Sequence, residues 1–288
     1  MSARPGKTVL EVINATTAFF QERDIENPRL NIELMLAHVL NKKRLQLYLE
    51  FERHLDDSVL TTLREMVKRR ASREPLQYIL GKTEFHGLEF QVDKRVLIPR
   101  PETELLVEHV LAACRDVPHV KILDVGTGSG CIAITLAKHL PAAEIWASEK
   151  SAAALEVARA NAERLGAGER VHFVHTDLFS PDHGRSIDWV VSNPPYIPTT
   201  ETGNLAKEIV DHEPLEALFA GEDGLSVMRA IIAEAPRFLS PGGHVALEIG
   251  AGQSAAVQQL FREAKYQMVK IVKDLQQHER VIVAVTGR

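Results

Sequence analysis

Residues 122–130 read ILDVGTGSG, and this stretch decides the fold class. A compact apolar strand predicted over 120–125 runs into three closely spaced glycines and then into a helix predicted over 131–140. Glycines allow a tight turn and a close approach of the backbone to a ligand, and a helix start presents unpaired N–H groups. The order strand, turn and helix therefore predicts a loop that holds a nucleoside or a phosphate.

The same alternation of strands and helices continues to the end of the chain. Further strands are predicted over 144–147, 171–174, 189–191 and 245–249. Further helices are predicted over 152–165, 225–239 and 254–264. Two last strands, 268–272 and 281–285, are expected to pair as antiparallel edge strands. Such alternation is typical of an α/β fold with a mostly parallel sheet covered on both faces.

The first part of the chain has a different pattern. Apolar residues at three- and four-residue spacing predict helices over 9–23, 31–40 and 58–70, which form a small bundle. Residues 84–92, EFHGLEFQV, place aromatic residues around a glycine and predict a short hairpin. We therefore predict a helical bundle over 1–80, a hairpin linker over 81–104 and a larger α/β domain over 105–288.

Charge and composition exclude several classes of protein. The 288 residues carry a net charge of −5, and residues 86–288 alone hold 20 Lys and Arg against 27 Asp and Glu. Proteins that grip nucleic acid usually carry a basic excess. The two cysteines, Cys114 and Cys131, form no Cys-x-x-Cys pair, and no histidines have a metal-ligand spacing, so neither a disulfide nor a metal is expected. No apolar run approaches the ~20 residues of a membrane helix, and residues 1–7 do not resemble a secretory signal, which predicts a cytoplasmic protein.

The glycine loop leaves two ligand classes open. Gly128 and Gly130 with Ala133 satisfy the dinucleotide fingerprint, and Glu149, 19 residues after Gly130, could bind ribose hydroxyls in either class. A loop that only packs the helix on the strand is the remaining alternative. Asp124, just before the first glycine, completes an Asp-x-Gly-x-Gly-x-Gly pattern that resembles the first motif of the seven-stranded methyltransferases.

A second motif, Asn193-Pro194-Pro195-Tyr196, follows a strand predicted over 187–192. Because the carboxyl ends of strands line the ligand crevice of an open α/β sheet, this motif should face the glycine loop. An amide nitrogen is a poor nucleophile, and two acceptors, the Asn193 side-chain oxygen and the Pro194 carbonyl, would orient it toward an activated methyl group. Tyr196 would stack on the planar amide. The alternative is a Pro-Pro turn with an incidental Asn.

Several other segments narrow the resemblance. They are 73–81 (REPLQYILG), 85–87 (FHG), 97–104 (LIPRPETE), 191–197 (VSNPPYI), 213–214 (EP), 217–218 (AL), 221–225 (GEDGL) and 247–250 (LEIG). Together with the glycine loop they closely resemble the peptide chain release factor glutamine methyltransferases, the PrmC or HemK family, from about residue 30 to the end of the chain.

The resemblance implies a seven-stranded Rossmann-like domain, an N-terminal bundle that recognises the substrate, and S-adenosylmethionine as cofactor. It implies methylation of N5 of the Gln in the Gly-Gly-Gln loop of class 1 release factors. The cofactor contacts that we predict on this basis are Asp124, Gly126, Thr127, Gly128, Ser129, Gly130, Glu149, Asp177, Leu178 and Asn193. The predicted substrate contacts are Asn193, Pro194, Pro195 and Tyr196, of which Asn193, Pro194 and Tyr196 are predicted to be catalytic. The family often has an aromatic residue at the position of Leu178 and commonly an Asp at that of Glu149.

Other functions remain open from the residues alone. They are an adenine-N6 methyltransferase acting on nucleic acid, a methyltransferase acting on a ribosomal-protein glutamine, a non-catalytic S-adenosylmethionine-binding adaptor and a nicotinamide dehydrogenase. The acidic catalytic half argues against the first, and an amide clamp has no use in the last two. Arg100 and Glu102 would line the entrance, hold the linker or only begin a helix. Lys68, Arg69, Arg70 and Arg73 would contact an acidic partner or, more simply, form a solvated face. A monomer without membrane or direct nucleic-acid contacts is expected.

Overall fold

The computed structural model describes residues 6–184 and 186–287, with the backbone alone at positions 204, 268 and 269. The first five residues of the predicted bundle therefore lie outside the described part. The chain forms two compact units, Met1–Gly81 with Ala206–His212, and Lys82–Leu205 with Glu213–Arg288. Within the described residues, no helix is both long and apolar enough to span a bilayer.

The first unit is a bundle of short helices. They are α1 (Val9–Gln21), α2 (Pro28–Val39), α3 (Arg44–Leu47), α4 (Asp57–Ala71), α5 (Leu76–Leu80) and, from later in the chain, α9 (Lys207–His212). Helix α1 begins with a capping box, because the Thr8 hydroxyl accepts from the Glu11 amide at 3.2 Å and the Glu11 carboxylate accepts from the Thr8 amide at 2.8 Å. The buried faces of α1, α2 and α4 meet in one apolar core, as their helical periodicity predicted.

Two basic residues, one in the last turn of α4 and one just after it, make contacts inside this unit. The buried Arg70 guanidinium donates to Asn31 Oδ1 at 2.7 Å and pairs with the Glu208 carboxylate at 2.9 Å. Arg73 donates to the backbone carbonyls of residues 23 and 24 at 2.7 and 3.0 Å. The interpretation of this cluster as a solvated face or a partner contact is therefore wrong for the buried Arg70. Lys68 and Arg69 are exposed, as a solvated face requires, and the partly exposed Arg73 uses its donors to join segments of the unit.

The second unit is built on a seven-stranded sheet, which confirms the predicted α/β class. A hairpin of β1 (Lys82–Phe85) and β2 (Leu88–Gln91) precedes it. The strands of the large sheet are β3 (Lys121–Val125), β4 (Glu144–Glu149), β5 (Val171–His175), β6 (Ile187–Ser192), β7 (Leu239–Glu248), β8 (Gln267–Lys273) and β9 (Glu279–Val285). Their order is β5-β4-β3-β6-β7-β9-β8, with β3 to β7 parallel.

The last two strands form the predicted antiparallel pair at one side of the sheet, although only one of them is an edge strand. Strand β9 pairs antiparallel with both β7 and β8, so only β8 lies at the edge. Residues Val281, Ile282, Val283 and Ala284 are all fully buried. A continuous apolar run of this kind is typical of a strand covered on both faces, and this burial gives the physical reason for the inner position of β9.

Helices cover both faces of this sheet. They are α6 (Glu104–Cys114), α7 (Cys131–His139), α8 (Ala152–Arg164), α10 (Ser226–Glu234) and α11 (Ser254–Glu263). Adjacent residues of β3 point to opposite faces, so Ile122 and Leu123 belong to different apolar clusters. Helix α10 is shorter than the predicted helix 225–239. Pro236 has no N–H to donate, and a 3₁₀ turn and strand β7 follow instead.

The sheet order places the glycine loop and the Asn193–Tyr196 motif next to each other, at the carboxyl ends of the parallel strands. Strand β3 lies between β4 and β6. The chain runs from β3 outward through β4 to β5 and then crosses back to β6 on the other side of β3, so the topological switch point lies between β3 and β6. Asp124 of β3 is in register with Val191 of β6. The glycine loop and the Asn193–Tyr196 segment therefore follow the carboxyl ends of neighbouring parallel strands.

Candidate active site

A cavity of about 490 Å³ opens at these carboxyl ends. Its volume lies within the range of small-molecule sites in proteins. The predicted site residues that line it are Gly126, Gly128, Glu149, Asp177, Leu178, Asn193, Pro194 and Pro195. The tertiary structure thus brings both motifs to one concave surface.

The glycine loop presents bare backbone to this cavity. Gly126 and Gly128 have φ angles of +73° and +56°, and a Cβ on either would meet no atom within 4 Å. A side chain there would strain the backbone and extend into open space. The amides of Gly126 and Thr127 donate to the Ser148 carbonyl at 2.9 and 3.0 Å, which holds the loop against the end of β4.

Gly130 has a different role in the same loop. A Cβ at this position would lie 2.7 Å from Cδ1 of Ile134 and 3.3 Å from Cβ of Ala158, on a backbone with φ of +84°. The contact with Ala158 brings helix α8 close to the start of helix α7. Gly130 is therefore required by packing and does not line the cavity.

Asp124 lies beneath the loop and is fully buried. Its Oδ2 accepts from the Thr127 hydroxyl at 2.6 Å and from the Ala133 amide at 3.2 Å. Its Oδ1 has no hydrogen-bond partner among the described residues, and burial raises the pKa of the carboxyl to about 7. Asp124, Thr127 and Ser129, predicted as cofactor contacts, shape the loop from below and are not among the residues that line the cavity.

Glu149 occupies the position expected of a ribose acceptor at the end of β4. One oxygen accepts from the Gly128 amide and the other from the Ser151 amide, each at 2.9 Å. An ionised carboxylate has about four lone-pair positions, so each oxygen retains capacity for a ligand hydroxyl. The carboxylate is therefore oriented by the protein before any ligand contact.

Two further predicted residues lie farther along the cavity wall. Asp177 is exposed and pairs with the Lys150 ammonium at 2.9 Å, which directs its carboxylate partly toward solvent. Leu178 has a φ of +63° and packs against the apolar cluster behind β6 and β7. An aliphatic side chain at this position offers apolar contact to a planar ring, without the stacking of an aromatic residue.

Asn193 is held by contacts on both sides. The Ser192 hydroxyl donates to the Val125 carbonyl at 2.6 Å, which ties the end of β6 to the end of β3. The Asn193 side-chain Nδ2 donates to Oγ1 of Thr103 at 2.9 Å. Among the described residues, the side-chain oxygen of Asn193 has no hydrogen-bond donor, and Pro194, which follows it, is buried.

Tyr196 does not line the cavity. Its carbonyl accepts from Gln253 Nε2 at 2.8 Å, and its Cδ2 lies 3.1 Å from the position that a Cβ on Gly250 would occupy. Burial raises the pKa of its phenol to about 12, and the charge of Glu248 raises it further. The expected stacking of Tyr196 on a substrate amide is thus a prediction about a surface outside this cavity.

Sequence reasoning missed several residues of the cavity wall. They are Arg95, Val96, Leu97, Lys150, Ser151, Ala154, Thr176, Pro214, Glu216, Ala217, Phe219, Ser226, Val227, Ala230 and Ile231, together with Val125 and Ser192 at the strand ends. Most belong to the linker, to the segment after position 213 or to helix α10. The motifs at 213–214 and 217–218 pointed to that segment, although their place in the wall requires the fold.

Glu213 joins the linker to the segment that follows position 213. The carboxylate is nearly fully buried, pairs with the Arg100 guanidinium at 2.6 Å and accepts from the Ile98 amide at 3.2 Å. Of the alternatives for Arg100, the structure favours the one in which it holds the linker, because its charge is already paired with Glu213.

The fold and the cavity together define a Rossmann-like methyltransferase. The described fold is similar to that of a methyltransferase from Pyrococcus furiosus, with a TM-score of 0.52 and 18% identity over 71% of this chain and 91% of that one. The sequence profile of the methyltransferase small domain matches residues 101–221, and that of the PrmC N-terminal domain matches residues 11–81.

Closer relatives narrow this class to one family. The chain is 45% identical over 255 residues to a release factor glutamine methyltransferase of Geobacter sulfurreducens, which covers 88% of both chains. It is 43% identical over 282 residues to a protein of the same name from Chlorobaculum tepidum, and this match covers 95% of each chain. The chain belongs to the release factor glutamine methyltransferase family, and the family predicted from the sequence motifs is thereby confirmed.

Proposed function

We propose that this protein transfers the methyl group of S-adenosylmethionine to N5 of the glutamine in the Gly-Gly-Gln loop of class 1 release factors. The observation that carries the proposal is the shared cavity of the glycine loop, Glu149 and Asn193. Family membership supports the choice of a protein glutamine as acceptor, since the relatives carry that activity in their names.

The residues of the cavity fit S-adenosylmethionine. The bare loop at Gly126 and Gly128 allows a close approach of the cofactor, and Glu149 offers carboxylate oxygens to the ribose hydroxyls. Leu178 and the apolar side chains of helix α10, Val227 and Ile231, offer an apolar surface to the adenine. Asp177 is a weaker acceptor for the adenine amino group, because it pairs with Lys150.

The reaction requires the chain mainly to orient the acceptor. The cofactor supplies a methyl carbon that its sulfonium already activates. Asn193 Oδ1 and the Pro194 carbonyl each accept one N–H of the glutamine amide, which directs the nitrogen lone pair toward that carbon. The fixed φ of Pro194 and Pro195 holds the second acceptor in place before substrate arrives. The new N–C bond would form as the bond between the methyl carbon and sulfur breaks, with the neutral thioether S-adenosylhomocysteine as the leaving group. One amide proton then leaves to water, so no strong base is needed before the transfer.

Three segments of the chain have different roles in this proposal. Residues 1–80 recognise the release factor, 81–104 form the hairpin linker and 105–288 perform the transfer. The net charge of −7 over residues 86–288 supports a protein acceptor and argues against an extended nucleic-acid surface. A cytoplasmic location, where release factors act, belongs to the same proposal.

A labelled-methyl assay tests the proposal directly. Purified protein, S-adenosylmethionine with a labelled methyl group and a class 1 release factor should give one methyl on the glutamine of the Gly-Gly-Gln loop. A release factor in which that glutamine is replaced by asparagine is the matched control and should remain unlabelled. Label in DNA or RNA, and none in the release factor, would show instead that the chain is an adenine-N6 methyltransferase.

A further inference from the structure

Thr103 lies between the candidate catalytic asparagine and a buried carboxylate. The Thr103 hydroxyl accepts from Asn193 Nδ2 at 2.9 Å, across 90 residues of sequence. The Glu248 carboxylate, at the end of β7, lies beside the same Thr103 side chain, whose hydrogen bonding lowers the carboxyl pKa, and its buried Oε2 has no hydrogen-bond partner among the described residues. Thr103 and Glu248 are each 2% exposed, so water has little access to this chain of contacts.

Thr103 ends the short 3₁₀ turn Pro101–Thr103 and leads directly into helix α6, with φ and ψ angles of −67° and −22° that are already helical. Among the described residues its side chain makes no capping hydrogen bond, so the hydroxyl is available for the contact with Asn193.

A hydroxyl has one proton, so Thr103 can donate to only one of its two neighbours, Glu248 or Asn193. An ionised carboxylate only accepts, so the Thr103 proton must point to Glu248. The Thr103 oxygen then offers Asn193 only lone pairs, and the asparagine must present its Nδ2 there. The two ends of a carboxamide have nearly the same shape, so only such a network decides which end faces the substrate.

We infer that Thr103 and Glu248 are positioning residues that lock the orientation of the Asn193 carboxamide, with Oδ1 free to accept from the substrate amide. This inference rests on the proposed function, because it assigns a role to the asparagine oxygen in that reaction. The carboxylate acts through Thr103 and touches no reacting atom.

The surroundings of Glu248 make this lock sensitive to pH. Burial raises the pKa of its carboxyl to about 7, with Glu102 also raising it and Thr103, Arg280 and Arg100 lowering it. Tyr196 and Cys131 are the other titratable groups whose pKa values Glu248 influences, and both remain protonated at neutral pH. A protonated Glu248 can donate to Thr103, which frees the hydroxyl proton to turn toward Asn193. We therefore expect kcat to rise with pH through the neutral range.

Three variants test the inference on the full-length protein with a release factor as acceptor. Thr103→Val removes the hydroxyl with little change in shape, Thr103→Ser restores it, and Glu248→Gln removes the ionisation. Thr135→Val is the matched control, because Thr135 is also fully buried and its hydroxyl has no hydrogen-bond partner among the described residues. Each variant is assayed for kcat, KM, cofactor affinity and the pH dependence of kcat.

We expect Thr103→Val to lower kcat by about 10- to 100-fold, the size of effect that a misoriented catalytic group produces. KM and cofactor affinity should change by less than about threefold, because Asn193 Oδ1 orients the substrate nitrogen for methyl transfer and contributes little to the binding of substrate or cofactor. Thr103→Ser should recover most of the rate, and Glu248→Gln should remove the rise of kcat near neutral pH. Thr135→Val should behave as the parent protein.

Two results would overturn the inference. One is a Thr103→Val enzyme with a kcat within about threefold of the parent, a change too small for loss of an orienting contact. The other is a Thr103→Ser enzyme as slow as Thr103→Val, which indicates that packing and not the hydroxyl matters. Failure of the proposed function is a separate outcome, because the parent protein itself would then leave the release factor unmethylated.

Discussion

The Gly128 amide donates to the Glu149 carboxylate at 2.9 Å, so the glycine loop and the acid after β4 are one connected unit. A second amide, that of Ser151, holds the other oxygen of the same carboxylate at 2.9 Å. The acid is thereby fixed at the point where the loop opens into the cavity. Preorganisation of this kind lowers the entropic cost of ligand binding, because the side chain has no rotamers left to lose.

Glu149→Gln should weaken cofactor binding. A neutral amide accepts more weakly than a carboxylate, and one of its ends would face the Gly128 or Ser151 amide with a donor. We expect the Kd for S-adenosylmethionine or S-adenosylhomocysteine to rise by about 10- to 100-fold, measured by isothermal titration calorimetry. Glu169→Gln, on an exposed turn of the same unit, is the control and should leave the Kd unchanged. An unchanged Kd in Glu149→Gln would remove this residue from the cofactor site.

Asn193→Ala should separate catalysis from cofactor binding. The variant loses one of the two acceptors that orient the substrate amide, so kcat should fall by at least about 100-fold. Cofactor affinity should drop far less, since the loop and Glu149 remain in place. Rapid-quench assays with labelled cofactor would measure the first quantity and calorimetry the second. Gln259→Ala, on the exposed face of helix α11, is the control. Nearly intact turnover in Asn193→Ala would be incompatible with the clamp mechanism.

Gly130→Ala should destabilise the protein. The added Cβ would lie 2.7 Å from Ile134 Cδ1 on a backbone with φ of +84°, so both crowding and strain oppose it. We expect the free energy of unfolding to fall by about 2 kcal/mol or more, followed by urea denaturation. Gly203→Ala is the matched control, because a Cβ there meets nothing within 4 Å and the stability should change by less than about 0.5 kcal/mol. Equal stability of the two variants would contradict the packing role of Gly130.

Asp124 should make the stability of the protein depend on pH. Burial raises the pKa of this carboxyl in the folded state to about 7, above its usual value near 4. The folded state therefore holds a proton that the unfolded chain has released. This contribution to stability is fully present below about pH 4 and is lost as the pH rises to about 7, by at most about 4 kcal/mol.

Asp124→Asn tests this dependence, because an amide does not titrate. The difference in free energy of unfolding between the parent protein and Asp124→Asn should shift against the parent as the pH rises from about 4 to about 7. Urea titrations at a series of pH values, without cofactor, provide the measurement. Parallel pH profiles for the two proteins would show that Asp124 has an ordinary pKa when folded.

Much of the fold was predictable from local patterns. The strand at 120–125, the glycine turn and helix α7 were readable because apolar periodicity and glycine spacing act over a few residues. The same holds for Asn193–Tyr196 at the end of β6. Parallel strands then place their carboxyl ends at one edge, so the meeting of the two motifs followed from the fold class. Leu178 and Asp177, predicted only from the family resemblance, also line the cavity.

Other features required the tertiary structure. Asp124 was predicted as a cofactor contact, yet its burial beneath the loop depends on how helix α7 packs on β3. Strands β8 and β9 pair antiparallel as predicted, but the inner position of β9 next to β7 follows from the cover on both faces of its apolar run, which only the tertiary structure shows. The short helix α9 groups with the first unit although its neighbours in sequence belong to the second.

The amino-acid sequence by itself determined the α/β class, the glycine loop, the Asn193–Tyr196 motif and the family, because each depends on residue types within one turn or at one strand end. Only the tertiary structure decided that Glu213 pairs with Arg100 and that Thr103 reaches Asn193, contacts that join residues 113 and 90 positions apart. Such contacts depend on the packing of whole elements, and local spacing carries no record of which distant side chains meet.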